Sequence, residues 1–378
     1  MRIALVNHTF SLSHGGLERF SVNLATSLNQ EGHSVCVFAH RWQDLPDEIQ
    51  VRAVPVAKRP GFWRVLSFAR NAGALVARED FDVVYGLTRC FGLDLYRLGD
   101  GVQRHWMRLN YPFAAWRWLN YLVNPVHWAN LYLERTILGP GGPWVVTNSK
   151  LVQGHVQRYY GSDPGRVHVV YNGVDPARFN PEQVRVNRDK IRSTLGLKST
   201  DKALLYVSNN WKRKGLSVLL RAVADLGDVG NMLHVLVVGR GKPAHFLRLS
   251  ERLGIATRVH LIGATDQVEN YYGAADLAVL PTMYDPFSNV CLEAMACGLP
   301  VVTTAENGAS ELVRPGEDGF VQRHARSWRE LAGLLGTCLD SDLTAMGAAA
   351  RARVAGMTRE HNMRETLDVI RLWTEASK

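Results

Sequence analysis

Short β-branched runs that recur between longer helical patterns constrain this chain more than any other feature. "RIALVNH", "SVCVFAH", "DVVYGL" and "WVVTNS" are separated by stretches such as "GLERFSVNLATSLNQEG". A strand that is apolar on both faces must be covered on both, and parallel neighbours need a helical crossover, so the alternation reads as a parallel α/β sheet. It restarts from Lys202 with "ALLYVS", "LHVLVVG", "RVHLIG", "LAVLP" and "PVVTT". At 378 residues the chain exceeds the size at which one core stops growing, so two doubly wound, Rossmann-like domains are expected. Turn chemistry at Asn172-Gly173 and the prolines Pro176 and Pro181 put the boundary near residue 180, giving an N-terminal domain over 1–178 and a C-terminal domain over 179–355. A last helix over 356–378 is expected to pack back on the N-terminal domain. Open α/β sheets take ligands beyond the carboxyl ends of their strands, so two such domains facing each other would enclose a cleft.

Charge and cysteine usage narrow the function. The formal net charge of +9 implies an acidic partner: nucleic acid, an anionic membrane surface or a phosphorylated substrate. Five scattered cysteines without a C-x-x-C pair give neither a disulfide framework nor a zinc site. The opening apolar stretch breaks at Asn7 and His8, too early for a signal peptide, and no run is long enough to span a bilayer, so a cytoplasmic location is expected. The segment "GVQRHWMRLNYPFAAWRWLNYLVNPVHWANLYLERTILG" breaks the regular alternation. It concentrates Trp106, Trp116, Trp118 and Trp128 beside Arg104, Arg108, Arg117 and Arg135, with Pro112 and Pro125 dividing it into helical pieces. This basic aromatic insertion over 104–138 suits either peripheral contact with an anionic membrane, on the inner face of the plasma membrane, or ordinary burial of its tryptophans. No RNA-binding or helix-turn-helix pattern accompanies it, so nucleic acid is not the expected partner.

The chemistry-bearing residues cluster at strand ends. After "DLAVLP" the loop "TMYDPFSNV" leads into a helix expected from Asn289 to the C′ glycine Gly298, with Asp285 ahead of it and Glu293 one turn inside. Ser288 lies five residues before Glu293 rather than three, so a capping box does not account for the acid. The amides of Phe287, Ser288, Asn289 and Val290 can receive an anion at the helix start. Two carboxylates flanking backbone donors suit a ligand with hydroxyls at both ends and phosphate between, as in a nucleotide sugar. "NNWKRKGL" places Arg213 and Lys214 before Gly215 and the next helix, where cations can neutralise a diphosphate. "NHTFSLSHGGLERF" opens a helix with Gly15-Gly16, where bare backbone can approach a phosphate, although a tight turn alone would use the same pair.

The order of Gly-Gly loop, "NGVD", "RKG" and "YDPFSNVCLEAMACGLPVV" resembles family 4 of the retaining glycosyltransferases, which have the GT-B fold, over almost the whole chain. "GGLERF", the spacing in "GLDLYRLGD" and the basic aromatic insertion are most similar to the lipopolysaccharide core glucosyltransferases within it. The resemblance implies a hexosyltransferase moving glucose from UDP-glucose to a lipopolysaccharide core or related glycolipid acceptor. It implies that Glu293 binds the donor ribose, that Asp285 and the amides of Phe287 to Val290 hold sugar hydroxyls, and that Arg213 and Lys214 grip the diphosphate. Gly15 and Gly16 would close over the phosphates, Gly263 would line the donor side, and Asp100 would present an acid to donor or acceptor. The family's usual first acid is Glu where this chain has Asp285, and Asn209 stands where an arginine often precedes "KG".

No cofactor or metal is expected. "DFD" at Asp80 to Asp82 precedes a strand rather than following one, and the histidines, His8 and His14 included, form no H-x-x-x-H cluster. Three alternatives remain open. They are a family 4 transferase using another nucleoside diphosphate sugar for exopolysaccharide or other glycoconjugates, a dinucleotide-dependent oxidoreductase at Gly239 and Gly241 lacking the third glycine of G-x-G-x-x-G, and a non-catalytic nucleic-acid-binding protein.

Overall fold

The computed structural model describes residues 1–12, 16–111 and 113–377 of the chain. The strands are β1 (Arg2–Val6), β2 (Thr9–Phe10), β3 (Ser34–Ala39), β4 (Arg41–Trp42), β5 (Gln50–Ala53), β6 (Val83–Gly86), β7 (Leu95–Leu98), β8 (Trp144–Thr147) and β9 (Val167–Val169), then β10 (Lys202–Val207), β11 (Leu233–Val238), β12 (Val259–Gly263), β13 (Leu277–Leu280), β14 (Val301–Thr304) and β15 (Gly319–Gln322). They build two compact units: Met1–Tyr171 with Asn362–Lys378, and Asn172–His361.

In the first unit the sheet order is β5-β3-β1-β6-β7-β8-β9, with parallel pairings throughout. The two-residue period of the central strand feeds both layers. Ala4 and Val6 join Phe38, Phe68 and Leu133 on one face, while Ile3 and Leu5 join Leu24, Leu28 and Tyr85 on the other. Leu367, Val369 and Ile370 of the helix Arg359–Ala376 complete that second layer. The two acids of the Asp80 to Asp82 stretch stand at the entry to β6, where the Asp82 carboxylate accepts a 2.7 Å hydrogen bond from the Arg2 amide.

The second unit has the order β12-β11-β10-β13-β14-β15, again parallel. Its first residues lie earlier than the sequence boundary at 178, because Val174 pairs with Thr358 and the Asn172 side chain donates to Asn289 Oδ1 at 2.8 Å. A Cβ on Gly173 would overlap the Thr358 carbonyl, so only glycine lets these two segments meet.

The insertion forms three helices, Gln103–Asn110, Ala114–Val123 and Pro125–Leu138. Asn124 caps the last, with Pro125 in the first turn where its missing N–H costs nothing. Pro112 lies outside the described residues. Glu134 anchors the segment. It is fully buried and accepts from Arg89 Nη2 at 2.9 Å, the amides of Gln103 and Arg104 at 2.6 and 3.3 Å, and the Tyr160 hydroxyl at 2.6 Å. The tryptophans divide: Trp106 is half-buried against Tyr111 and His127, whereas Trp116 and Trp118 are 61% and 69% exposed and Trp128 is exposed as well. Among the described residues no helix is long and apolar enough to cross a membrane.

Candidate donor-binding site

In the second unit, consecutive crossovers leave β10 in opposite directions, toward β11 on one side and β13 on the other. The loops that follow β10 and β13 therefore diverge, and a cavity of about 340 Å³ opens between them at the carboxyl edge of the sheet. From the β10 side Ser208, Asn209, Asn210, Arg213 and Lys214 line it; from the β13 side come Asp285, Phe287, Ser288, Asn289 and Val290.

Glycines and one tryptophan fix the basic loop. Gly215 is left-handed at φ 79°, and a Cβ there would overlap the Pro281 carbonyl, so this residue brings the two loops together. Arg213 Nη1 donates to the Tyr284 carbonyl at 3.1 Å, and the Met283 amide donates to the Arg213 carbonyl at 3.0 Å. Trp211 is buried, with Nε1 donating to the Ser208 carbonyl at 2.9 Å, and its ring occupies the space a side chain at Gly241 would need. Gly239 is similarly crowded by the Ser208 carbonyl. The Gly239-x-Gly241 pair thus gives clearance to Trp211 and Ser208, and its spacing is accounted for without a dinucleotide.

Asn307, which sequence reading missed, holds the acidic loop. Fully buried, it accepts from the amides of Ser288 and Ala309, both at 3.1 Å, and donates to Thr303 Oγ1 at 2.9 Å and Cys291 Sγ at 3.4 Å. The Asp285 amide donates to the Glu306 carbonyl and the Gly308 amide to the Asp285 carbonyl, both at 2.9 Å, extending β14 by one bridge. This corrects one expectation: the Ser288 amide is spent on Asn307 and is not a free donor at the helix start. The helix itself runs Asn289–Ala296, with Gly298 left-handed beyond it, as the sequence pattern requires.

Lys214 Nζ contacts the Asp285 carboxylate, and both side chains are largely buried. Burial, reinforced by the neighbouring Arg213 guanidinium, pushes the Lys214 ammonium down to about 7, while the touching carboxylate favours its charged form. Cation and acid therefore hold each other in a cavity that also carries Arg213.

Glu293 stands one turn beyond and does not line this cavity; Oε2 accepts a 2.8 Å hydrogen bond from the buried Tyr272 hydroxyl. Gly263 ends β12 in a left-handed conformation, its carbonyl accepting from the Gly239 amide at 2.7 Å, and it also lies outside the cavity lining. In the first unit, Gly16 begins the helix Gly16–Gln30, and Gly15 and His14 lie outside the described residues. Asp100 follows β7 and is exposed, lining a smaller cavity of that unit.

Comparison with known proteins agrees with this layout. Residues 14–178 match the model for Glycosyltransferase Family 4, and residues 187–353 match that for Glycosyl transferases group 1. The lipopolysaccharide glucosyltransferase WaaG of Escherichia coli is 27% identical over 346 residues, 90% of each chain. A D-inositol 3-phosphate glycosyltransferase of Rhodococcus opacus is 33% identical over 242 residues, covering 61% of this chain and 53% of its own. The crystal structure of WaaG superposes with a TM-score of 0.82 at 25% identity, covering 97% of this chain and 99% of that one. Anabaena HepE, solved in complex with UDP, has the same fold at a TM-score of 0.72 and 20% identity, covering 98% of this chain and 99% of its own. Two doubly wound units, each with ligand-sized space at its switch point, define a glycosyltransferase of the GT-B fold. The chain belongs to the family 4, group 1 glycosyltransferases.

Asn307→Ala removes the acceptor of two buried amides, which costs about 1–3 kcal/mol of stability in denaturant titration. Amide exchange should accelerate at Ser288 and Ala309 while β10 stays protected.

Proposed function

We propose that this protein is a retaining, metal-independent hexosyltransferase that moves glucose from UDP-glucose to a lipopolysaccharide core or related glycolipid acceptor. The observation that carries the reading is the Lys214–Asp285 pair beside Arg213 in a switch-point cavity, in a chain most of which aligns with a lipopolysaccharide glucosyltransferase. A diphosphate entering the cavity replaces the carboxylate as the partner of Lys214. Asp285 is then released to accept hydrogen bonds from the hydroxyls of the donor sugar, helped by the amides of Asn289 and Val290. Arg213 and Lys214 stabilise charge that grows on the leaving diphosphate, which is the electrostatic work the transition state needs. Glu293, oriented by Tyr272, takes the ribose hydroxyls. Gly15 and Gly16 are assigned to phosphate binding and Gly263 to the donor side on the family resemblance alone. No carboxylate is assigned as nucleophile. The leaving phosphate takes the acceptor proton on the same face, so the anomeric configuration is kept, and Asp100 orients the reacting sugar.

The exposed rings of Phe113, Trp116, Trp118 and Trp128, with the arginines of the same segment, form a peripheral contact for anionic lipid at the inner face of the plasma membrane.

In a thermal-shift panel of UDP-, GDP- and ADP-sugars with EDTA present, UDP-glucose at a hundredfold its dissociation constant should stabilise by about 2.7 kcal/mol. Stabilisation by another sugar nucleotide alone moves the reading to a different glycoconjugate, and dependence on a divalent ion ends the metal-free mechanism.

Donor affinity should also report on Lys214. The diphosphate favours the ammonium, so binding takes up a proton wherever the free lysine is neutral. Affinity stays level below pH 7 and falls by up to about tenfold per pH unit above it. Titration calorimetry across pH 6 to 9 checks this, and Lys214→Ala should bind more weakly with the slope lost.

Replacing Trp116 and Trp118 with serine should sharply reduce co-sedimentation with anionic vesicles and leave UDP-glucose binding intact.

A further inference from the structure

The amino edge of the first sheet, away from the loops described above, also encloses space. About 470 Å³ opens at the amino ends of β7, β8 and β9. Asp94 and Arg166 immediately precede β7 and β9, Trp144 opens β8, and Phe91 lies in the connection into β7. Thr136 comes from the helix Pro125–Leu138, and Trp373 from the helix Arg359–Ala376 that returns to this unit. The donor reading uses none of these residues.

An acid and a cation share this wall without bridging each other. Asp94 Oδ2 accepts from the Val84 amide at 2.8 Å, and Oδ1 accepts from no protein group among the described residues. Arg166 Nη2 donates to the Gly142 carbonyl and to the Pro143 carbonyl at 3.0 Å, while Nη1 makes no hydrogen bond among the described residues. Each side chain is thus fastened to backbone and keeps one polar atom to spare. A Cβ on Gly142 would overlap the Ile137 carbonyl, so this loop sits tightly on the helix end and Arg166 pins it there. The wall is set before any ligand arrives, which lowers the cost of binding. Burial pushes the Asp94 carboxyl up in spite of the Val84 bond, so its charged form gains from a further donor.

The balance of charge says what kind of ligand. An anion would meet the Asp94 carboxylate and a cation the Arg166 guanidinium, so net charge favours neither ion. A ligand with a donor and an acceptor side by side satisfies both groups, as neighbouring hydroxyls do. Rings supply the rest: Phe91, Trp144 and Trp373 line the same space, and both indoles are only partly buried. Trp144 is already stacked on His168, with ring centroids 4.7 Å apart, so one side of the indole is taken. A pyranose lays its C–H groups on a single indole surface and leaves its outer hydroxyls in water. A flat heterocycle gains most when enclosed on both sides.

We propose that this amino-edge cavity is a non-catalytic saccharide-binding site, in which Asp94 accepts from and Arg166 donates to neighbouring hydroxyls of a neutral pyranose seated on Trp144 and Trp373. The sugar held here is not one that reacts, since the transferase residues stand at the carboxyl ends of their strands. It is a further glycan residue, tethered at the opposite edge of the sheet. The inference draws on no residue of the donor cavity and does not depend on which sugar nucleotide binds there.

The test is saturation-transfer NMR on the full chain with methyl α-D-glucopyranoside, methyl α-D-galactopyranoside and methyl N-acetyl-β-D-glucosaminide, each with and without UDP-glucose in excess. Uridine and adenosine serve as heterocyclic controls. At least one glycoside should bind and stay bound when UDP-glucose is added. Asp94→Asn keeps an oxygen for the Val84 amide and puts an N–H donor where the open oxygen was. Affinity for that glycoside should fall about tenfold, the worth of one hydrogen bond to a charged group. Thr136→Trp, at an exposed helix position on the rim, fills the cavity and should abolish glycoside binding with Asp94 still present. Wild-type protein that binds no glycoside, binding that UDP-glucose displaces, or binding that either variant leaves unchanged overturns the proposal. Asp94-dependent binding of uridine or adenosine without any glycoside gives the cavity to a nucleoside and overturns it too.

Discussion

A parallel strand whose two neighbours receive crossovers of opposite direction cannot share loops with both. The gap at its carboxyl end is a geometric consequence of the strand order, present before any functional side chain is chosen. In the second unit that strand is β10, and in the first it is β1. The residues at the carboxyl ends are placed by this constraint. Arg213 and Lys214 hang from the end of β10 and Asp285 from the end of β13, while His8, Arg89 and Asp100 follow β1, β6 and β7. The loops supply the chemistry, and the sheets decide where the loops must part.

What the loops add is restraint on charge. Lys214 and Asp285 would each be costly to bury alone, and together they are tolerable because each is the other's counter-ion. Such a pair stabilises little. On the proposed function its value lies in being exchangeable, since a polyanion can take the acid's place beside Lys214 while the released carboxylate turns to hydroxyl donors of the ligand. The same logic runs through Glu134, which meets Arg89, two helix amides and a tyrosine at once. There the acid cannot be displaced, because four donors converge on it, and the result is a fixed wall.

Much of the fold was legible in the sequence because its signals are local. Both doubly wound sheets follow from apolar runs and turn residues, and the helix Asn289–Ala296 with its closing Gly298 follows from periodicity and a glycine stop. Of the residues singled out for donor binding, Arg213, Lys214 and Asp285 meet in one cavity, because each sits just after a strand that ends at the switch point. Long-range pairing was invisible. Nothing near Asn307 announces that its amide serves a loop nineteen residues earlier, nor that it consumes the Ser288 N–H counted as available. Glu293 reads as a ligand-facing acid by spacing, but only coordinates reveal Tyr272 against it. In the insertion the tryptophans all look alike in sequence. Trp106 turns inward against His127 while Trp116 and Trp118 turn outward, since a helix rich in rings on every face has no pattern to read.

The Asn307-Gly308 step carries a further implication for how the molecule ages. Asparagine before glycine is the dipeptide most prone to lose ammonia, because the glycine nitrogen can swing onto the side-chain carbon and close a five-membered imide. Here that nitrogen is committed to the Asp285 carbonyl, and the amide head is pinned by two donors and two acceptors. The ring cannot form while the loop keeps its shape. Spontaneous chemical damage at this step is therefore gated by local opening, and any ligand that quiets the loop also lengthens the life of the protein.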